Sequence, residues 1–150
     1  NKGKCRNKKL SRNLRKKRKT LSKNDPIFTY RRGNVWYSLK NTDVNRYLKR
    51  FGNFSSKNFR TWVANLSFIY EILKNDFPKT EKEKNKNINE ALQKTAHKLN
   101  NTPTVCKKNY IDPYLIDLYI KDTKRFIHSF IRAKGKDEIS DNYIQLLKSK

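Results

Sequence analysis

From residue 42 onward, apolar residues recur at the spacing of amphipathic helices. Thr42 reads as the N-cap of a helix ending at Gly52, with Val44, Tyr47, Leu48 and Phe51 on its inner face. Ser55 or Ser56 can cap the next helix. Its Phe59, Trp62, Val63, Leu66, Ile69, Tyr70 and Leu73 make one continuous stripe, stopped by Asp76-Phe77-Pro78. Thr80-x-x-Glu83 has the form of a capping box. The helix it opens runs to about Asn100, with Ile88, Leu92, Ala96 and Leu99 inward and a polar first part, Glu81 to Asn87. Asn101-Thr102-Pro103 breaks that helix and starts a short one. Asp112-Pro113, an N-cap followed by proline, begins a long helix packed through Leu115, Leu118, Tyr119, Phe126, Ile127, Phe130 and Ile131 and ended by Gly135. A last helix follows Ser140, with Tyr143, Ile144 and Leu147.

The pattern differs before residue 42. Ile27–Tyr30 and Val35–Leu39 are β-rich and aromatic, and Gly33-Asn34 lies between them, so a small hairpin is predicted. Residues 1–24 hold twelve Lys or Arg and no acid, with Leu10, Leu14 and Leu21 at near-helical spacing. No internal repeat or long low-complexity linker appears. The predicted class is mainly α with a minor β element, in one domain over residues 1–150: a basic segment (1–24), a β element (27–39) and a helical body (42–150).

Charge sharpens this picture. Thirty-seven basic residues against 13 acidic give a net charge of +24 over 150 residues. A field of that size implies a polyanionic partner, a membrane surface or an acidic protein. No apolar run approaches the roughly 18 residues of a membrane span, and no signal peptide is visible. The run Arg15–Lys19 reads as an address signal or as a nucleic-acid-facing part of the fold, and the leucine spacing favours the second. Cys5 and Cys106 lie far apart without a framework, which suits free thiols in a reducing compartment. The chain has no methionine and opens in Asn1-Lys2-Gly3-Lys4, so it reads as an internal or C-terminal piece of a longer protein, N-terminal processing being the alternative. Its Lys, Asn and Ile content suits an AT-rich genome. His97, His128 and the cysteines form no metal-ligand pattern, and there is no Gly-rich phosphate loop, so neither a metal nor ATP is expected.

Two residues stand out for chemistry. Arg60 falls in the first turn of its helix. With Phe59 in the buried stripe, Arg60 is expected about 100° away from it, facing a surface. Helix N-termini attract anions, and the guanidinium fork matches phosphate. Tyr110 lies between Lys107-Lys108 and Ile111-Asp112-Pro113. Neighbouring lysines favour a phenolate over a phenol, whose ordinary pKa is about 10, and a tyrosine nucleophile can form a covalent phosphoenzyme. The plain alternatives are a solvated arginine and a packing tyrosine, one of eight in the chain.

The segments Lys57-Asn58-Phe59-Arg60-Thr61-Trp62 and Asn101-Thr102-Pro103-Thr104-Val105-Cys106-Lys107-Lys108-Asn109-Tyr110 together resemble the catalytic part of type IB DNA topoisomerases of the bacterial, giant-virus and poxvirus kind. Asp43-Val44-Asn45-x-Tyr47-Leu48 is similar to the family's sequence before the arginine segment, and the resemblance covers most of residues 27–120. It implies a fold of the topoisomerase IB and tyrosine recombinase kind. It implies Tyr110 as nucleophile for a DNA 3′-phosphate and Arg60 as the second catalytic arginine. Asn101 falls where poxvirus enzymes carry histidine and many bacterial ones asparagine, either able to donate to a phosphate oxygen; His97 sits four residues too early.

Lys2-Gly3-Lys4 resembles the family's Gly-Lys turn, making Lys4 the general acid, with Lys8 and Lys9 as alternatives. Lys57, Lys107, Lys108, Arg15 and Lys16 are expected phosphate contacts. In the family the first catalytic arginine and a small N-terminal clamp domain precede the Gly-Lys turn, so the resemblance implies no counterpart of either within residues 1–150. The implied activity is relaxation of supercoiled double-stranded DNA without ATP or metal, by a monomer that stays inside the cell with the genome. A tyrosine recombinase typically has His-x-x-Arg and Leu-Gly-His segments, where this chain has Lys57-Asn58-Phe59-Arg60 and Leu99-Asn100-Asn101. A passive basic module is the remaining alternative, with steeply salt-dependent binding and no covalent product.

Overall fold

The polar gaps and caps of the sequence become helix ends in a computed structural model, which describes residues 7–133 and 135–149. The chain divides into two compact units, Asn1–Ser56 and Lys57–Lys150. As the apolar pattern predicted, the described residues are mainly helical with one two-stranded sheet.

In the first unit, helix α1 (Lys8–Lys19) is capped by Asn7, whose Oδ1 accepts from the Leu10 amide at 2.9 Å. Strands β1 (Thr29–Arg32) and β2 (Val35–Ser38) pair antiparallel, with Arg32 opposite Val35. The two-residue turn has Gly33 first, at φ 60°, the sign of φ that glycine tolerates best. Tyr30 and Tyr37 stack across the strands at 5.5 Å. The Lys17 ammonium donates to the Thr29 hydroxyl and stands 5.7 Å from the Trp36 ring. Helix α2 (Asn41–Leu48) starts two residues earlier than predicted: Lys40, not Thr42, is its N-cap, and the Asp43 carboxylate accepts the Lys40 amide at 2.9 Å. A single 3₁₀ turn, Lys49–Phe51, follows, and Gly52 at φ 142° ends it. No described residue of this unit is buried.

The second unit holds the apolar core. It is built by α3 (Ser56–Ile72), α4 (Glu81–Leu99), α5 (Pro103–Asn109), α6 (Pro113–Lys121), α7 (Thr123–Phe130) and α8 (Lys136–Lys148). Ala64, Phe68, Ile69 and Ile72 of α3 meet Ile88, Leu92 and Ala96 of α4, together with Leu115, Tyr119, Phe126 and Phe130. Phe59 and Val63 do not share this stripe: both are exposed. On a helical wheel they lie roughly 180° and 140° from Phe68, so burying Phe68 turns them out. The predicted long helix after Asp112 is two helices. Asp122 breaks it with an extended ψ of 75° and caps α7 by accepting the Arg125 amide at 2.9 Å. The final helix starts before Ser140, with Gly135 as its N-cap residue.

One carboxylate sits in this core wall. Glu71 is buried, and its oxygens meet Lys98 at 2.5 Å, Lys74 at 3.6 Å and Lys94 at 4.0 Å. Burial pushes its carboxyl pKa up. The hydrogen bond and charge of Lys98 and the charges of Lys74 and Lys94 outweigh that push and hold it below its ordinary value of 4.5. A group depressed in the folded state adds stability that is complete above 4.5 and is lost as pH falls through the lower folded value. Glu71→Gln is therefore expected to lower stability at neutral pH by about 2 kcal/mol. Urea denaturation at neutral and acidic pH checks this, and the gap between the two proteins must narrow on acidification; a gap that does not change with pH contradicts the ion-pair account.

Candidate active site

Arg60 lies one turn before Ala64 on α3, about 40° from it around the helix. It therefore follows the core face of α3 rather than turning away from it, and it remains exposed because it lies beyond the last buried turn. The expected exposure holds, for a different reason than the position of Phe59.

Helix α4 ends opposite this arginine. Asn100 takes the left-handed conformation, φ 58° and ψ 44°, which asparagine tolerates better than most residues, and its amide closes the last turn on Ala96 and His97. The Asn101 amide folds back to the Ala96 carbonyl at 2.9 Å. The Leu99 carbonyl is one of the last four of its helix, with no partner along the helix and at the negative end of the dipole. Arg60 Nη2 donates to it at 2.8 Å.

Thr102 then caps α5, accepting from Val105, and Pro103 supplies the first helical position. Cys106, fully buried, fastens this short helix to the core, and burial pushes its thiol pKa up. Tyr110 ends α5, its amide bonded to the Cys106 carbonyl at 3.0 Å. Its ring is half-buried, and the Arg60 guanidinium carbon stands 5.3 Å from the ring centroid.

The turn carrying Tyr110 is held from α3. The side chain of Asn65, 2% exposed, donates through Nδ2 to the Thr61 carbonyl at 2.9 Å and to the Tyr110 carbonyl at 3.0 Å. Its Oδ1 accepts the Asp112 amide at 2.8 Å. Asp112 in turn caps α6 by accepting the Tyr114 amide at 3.0 Å. The sequence reading missed Asn65. Its signal was one amide inside the apolar run Val63-Ala64-Asn65-Leu66, a burial that is costly unless every polar atom is satisfied.

Arg60 and Tyr110, fifty residues apart in the chain, are thus brought together, with Asn101 two residues beyond the carbonyl that Arg60 holds. The Nδ2 of Asn101 is buried and meets no acceptor among the described residues. Lys107 and Lys108 are exposed and line a groove bordered also by Asn89 of α4 and Asp117 of α6; among the described residues the cation over the Tyr110 ring is Arg60. Lys57 is exposed in the first turn of α3, His97 is exposed on α4, and Arg15, Lys16, Lys8 and Lys9 are exposed on α1. Lys4 lies outside the described residues. No group of histidines, cysteines or carboxylates that could hold a metal occurs among the described residues, and none of their helices is long and apolar enough to cross a membrane.

Residues 2–134 match the model of the family described as eukaryotic DNA topoisomerase I, catalytic core. The chain is also similar to the DNA topoisomerase 1B of Acanthamoeba polyphaga mimivirus, at 36% identity over 116 residues. That similarity covers 74% of this chain and 33% of the viral protein, so the chain spans about a third of its relative's length.

The Asn65 contacts lead to a stability test. Asn65→Ala strands the Tyr110 carbonyl and the Asp112 amide and is expected to cost about 2–3 kcal/mol. Thermal or urea denaturation measures it; a loss below about 0.5 kcal/mol, the level of an ordinary surface change, contradicts the role given to this amide.

Proposed function

The chain belongs to the DNA topoisomerase I catalytic-core family, and on that premise we propose that it supplies the nucleophilic part of a type IB DNA topoisomerase, which relaxes supercoils by rotation about a transient nick. Its substrate is double-stranded DNA, and its reaction is transient cleavage of one strand. The observation carrying this reading is the convergence of Arg60 and Tyr110, fifty residues apart in the chain, to 5.3 Å between guanidinium carbon and ring centroid.

In the proposed step, the Tyr110 phenolic oxygen gives its proton to solvent water and attacks a DNA phosphorus. A phosphorus–oxygen bond to tyrosine forms, and the bond to the 5′-oxygen of the next nucleotide breaks. The departing 5′-oxygen takes a proton from a general acid, for which Lys4 is the candidate. The DNA end is left as a 3′-phosphotyrosine, rotation releases supercoils, and the reverse attack by the 5′-hydroxyl reseals the strand. The phosphotyrosine conserves the energy of the broken bond, so the cycle needs no nucleotide hydrolysis.

Arg60 answers the charge that develops on the phosphate. Its bond to Leu99 engages one nitrogen, and the remaining N–H donors of the fork are available to nonbridging oxygens. Asn101 Nδ2 supplies a further donor, already desolvated and without a competing acceptor among the described residues. Lys57, Lys107, Lys108, Arg15 and Lys16 contact phosphates along the duplex and add affinity without sequence choice. In this reading the protein acts as a monomer alongside the genome inside the cell.

The test is a suicide duplex, which loses its 5′ leaving strand on cleavage, incubated with the full-length protein in EDTA without ATP. A denaturation-resistant adduct at the DNA 3′ end is expected, and none with Tyr110→Phe, whose DNA affinity should stay near that of the wild type. Arg60→Ala should form the adduct about 10²-fold more slowly or worse, the scale of losing a transition-state donor. DNA binding without any adduct would favour a passive module, and adduct formation by Tyr110→Phe would remove Tyr110 from the nucleophile's role.

A further inference from the structure

The last helix, α8, begins beyond the residues matched by the family model, yet one of its side chains reaches the turn that carries Tyr110. Tyr143 is 3% exposed, and its ring packs 5.1 Å from that of Trp62 on α3, tilted by 32°. Its hydroxyl donates to Asp112 Oδ2 at 3.2 Å. The other carboxylate oxygen caps α6 through the Tyr114 amide, and the Asp112 main-chain amide is held by Asn65. Asp112 is thus fixed by three separate elements, α3, α6 and α8, and it stands two residues after Tyr110.

We propose that Tyr143 is a positioning residue for cleavage: its phenol holds the Asp112 carboxylate and thereby aims the Tyr110 oxygen at the phosphorus. The proposal rests on the type IB reading above. Burial, with the charge and hydrogen bond of Asp112, keeps the Tyr143 phenol well above the ordinary tyrosine range. It therefore remains a hydrogen-bond donor at neutral and mildly alkaline pH. Trp62 belongs to the same segment as Arg60, so one ring contact from α8 bears on the arginine's helix while the hydroxyl bears on the tyrosine's turn. In-line attack needs the oxygen and phosphorus in near-contact alignment, where an error of about 1 Å costs up to about 10²-fold in rate.

Four variants of the full-length protein test this in the suicide-duplex assay under single-turnover conditions. Tyr143→Phe removes only the hydroxyl. Asp112→Ser keeps an oxygen to cap α6 but has none for Tyr143. Each is expected to slow adduct formation about tenfold while DNA affinity changes less than about twofold, and the double variant should be no slower than either single one. Tyr119→Phe is the control: it deletes another buried phenol, bonded to Asn87 at 3.0 Å, and should lower the melting temperature comparably without slowing cleavage. An unchanged rate in Tyr143→Phe and Asp112→Ser, equal slowing in Tyr119→Phe, or losses that multiply in the double variant would each overturn the positioning role while leaving the cleavage reading intact. A wild-type protein that forms no adduct would overturn both.

Discussion

The side-chain amide of Asn65 is the point on which the geometry of the candidate site depends. Helix α3 brings Arg60, the end of α5 brings Tyr110, and α6 starts at Asp112; this one amide bonds to the main chain at Tyr110 and Asp112 from within α3. The Asn65 side chain is buried, where hydrogen bonds are electrostatically stronger and an unmade one is costly. Arg60 lies five residues before Asn65 on the same helix. The separation of guanidinium and phenol ring is therefore set by a rigid helical segment and a clamped turn, with two side chains of limited reach adding the last few ångströms.

Charge is handled differently in the two units. The second keeps a buried carboxylate among three lysines, so part of its positive charge is neutralised within the fold. In the first, α1 carries Lys8, Lys9, Arg12 and the run Arg15–Lys19 with no acid. Its last turn is basic, which the helix dipole favours, but mutual repulsion along its length works against it. A polyanion laid against this helix relieves that repulsion as it binds, so the element gains stability from the partner proposed for it.

Much of the architecture was legible because it is written in local chemistry. Thr80, Thr102 and Asp112 announce helix starts by side-chain caps that need no tertiary information, and Gly33 announces the hairpin turn. The break at Asp122 was hidden because apolar periodicity continues through it; only the cap onto Arg125 ends one helix and begins another. Phe59 and Val63 were assigned to the core because adjacent apolar residues satisfy more than one stripe, and only the burial of Phe68 selects between them. Arg60 and Tyr110 were legible from their segments. The contacts that hold them, Asn65 to Tyr110 and Tyr143 to Asp112, span 45 and 31 residues and have no local signature.

The bond from Arg60 ends on the main-chain carbonyl of Leu99, an oxygen that every amino acid carries. Position 99 can therefore exchange its side chain, within the needs of packing, without disturbing the arginine. What it cannot absorb is a change of length. One codon gained or lost between Ala96 and Asn101 would rotate a different carbonyl toward Arg60 and displace the left-handed Asn100 that closes the helix. Position 99 is thus inherited as spacing more than as residue identity, and selection on it should show as an intolerance of insertions and deletions even where its own side chain varies.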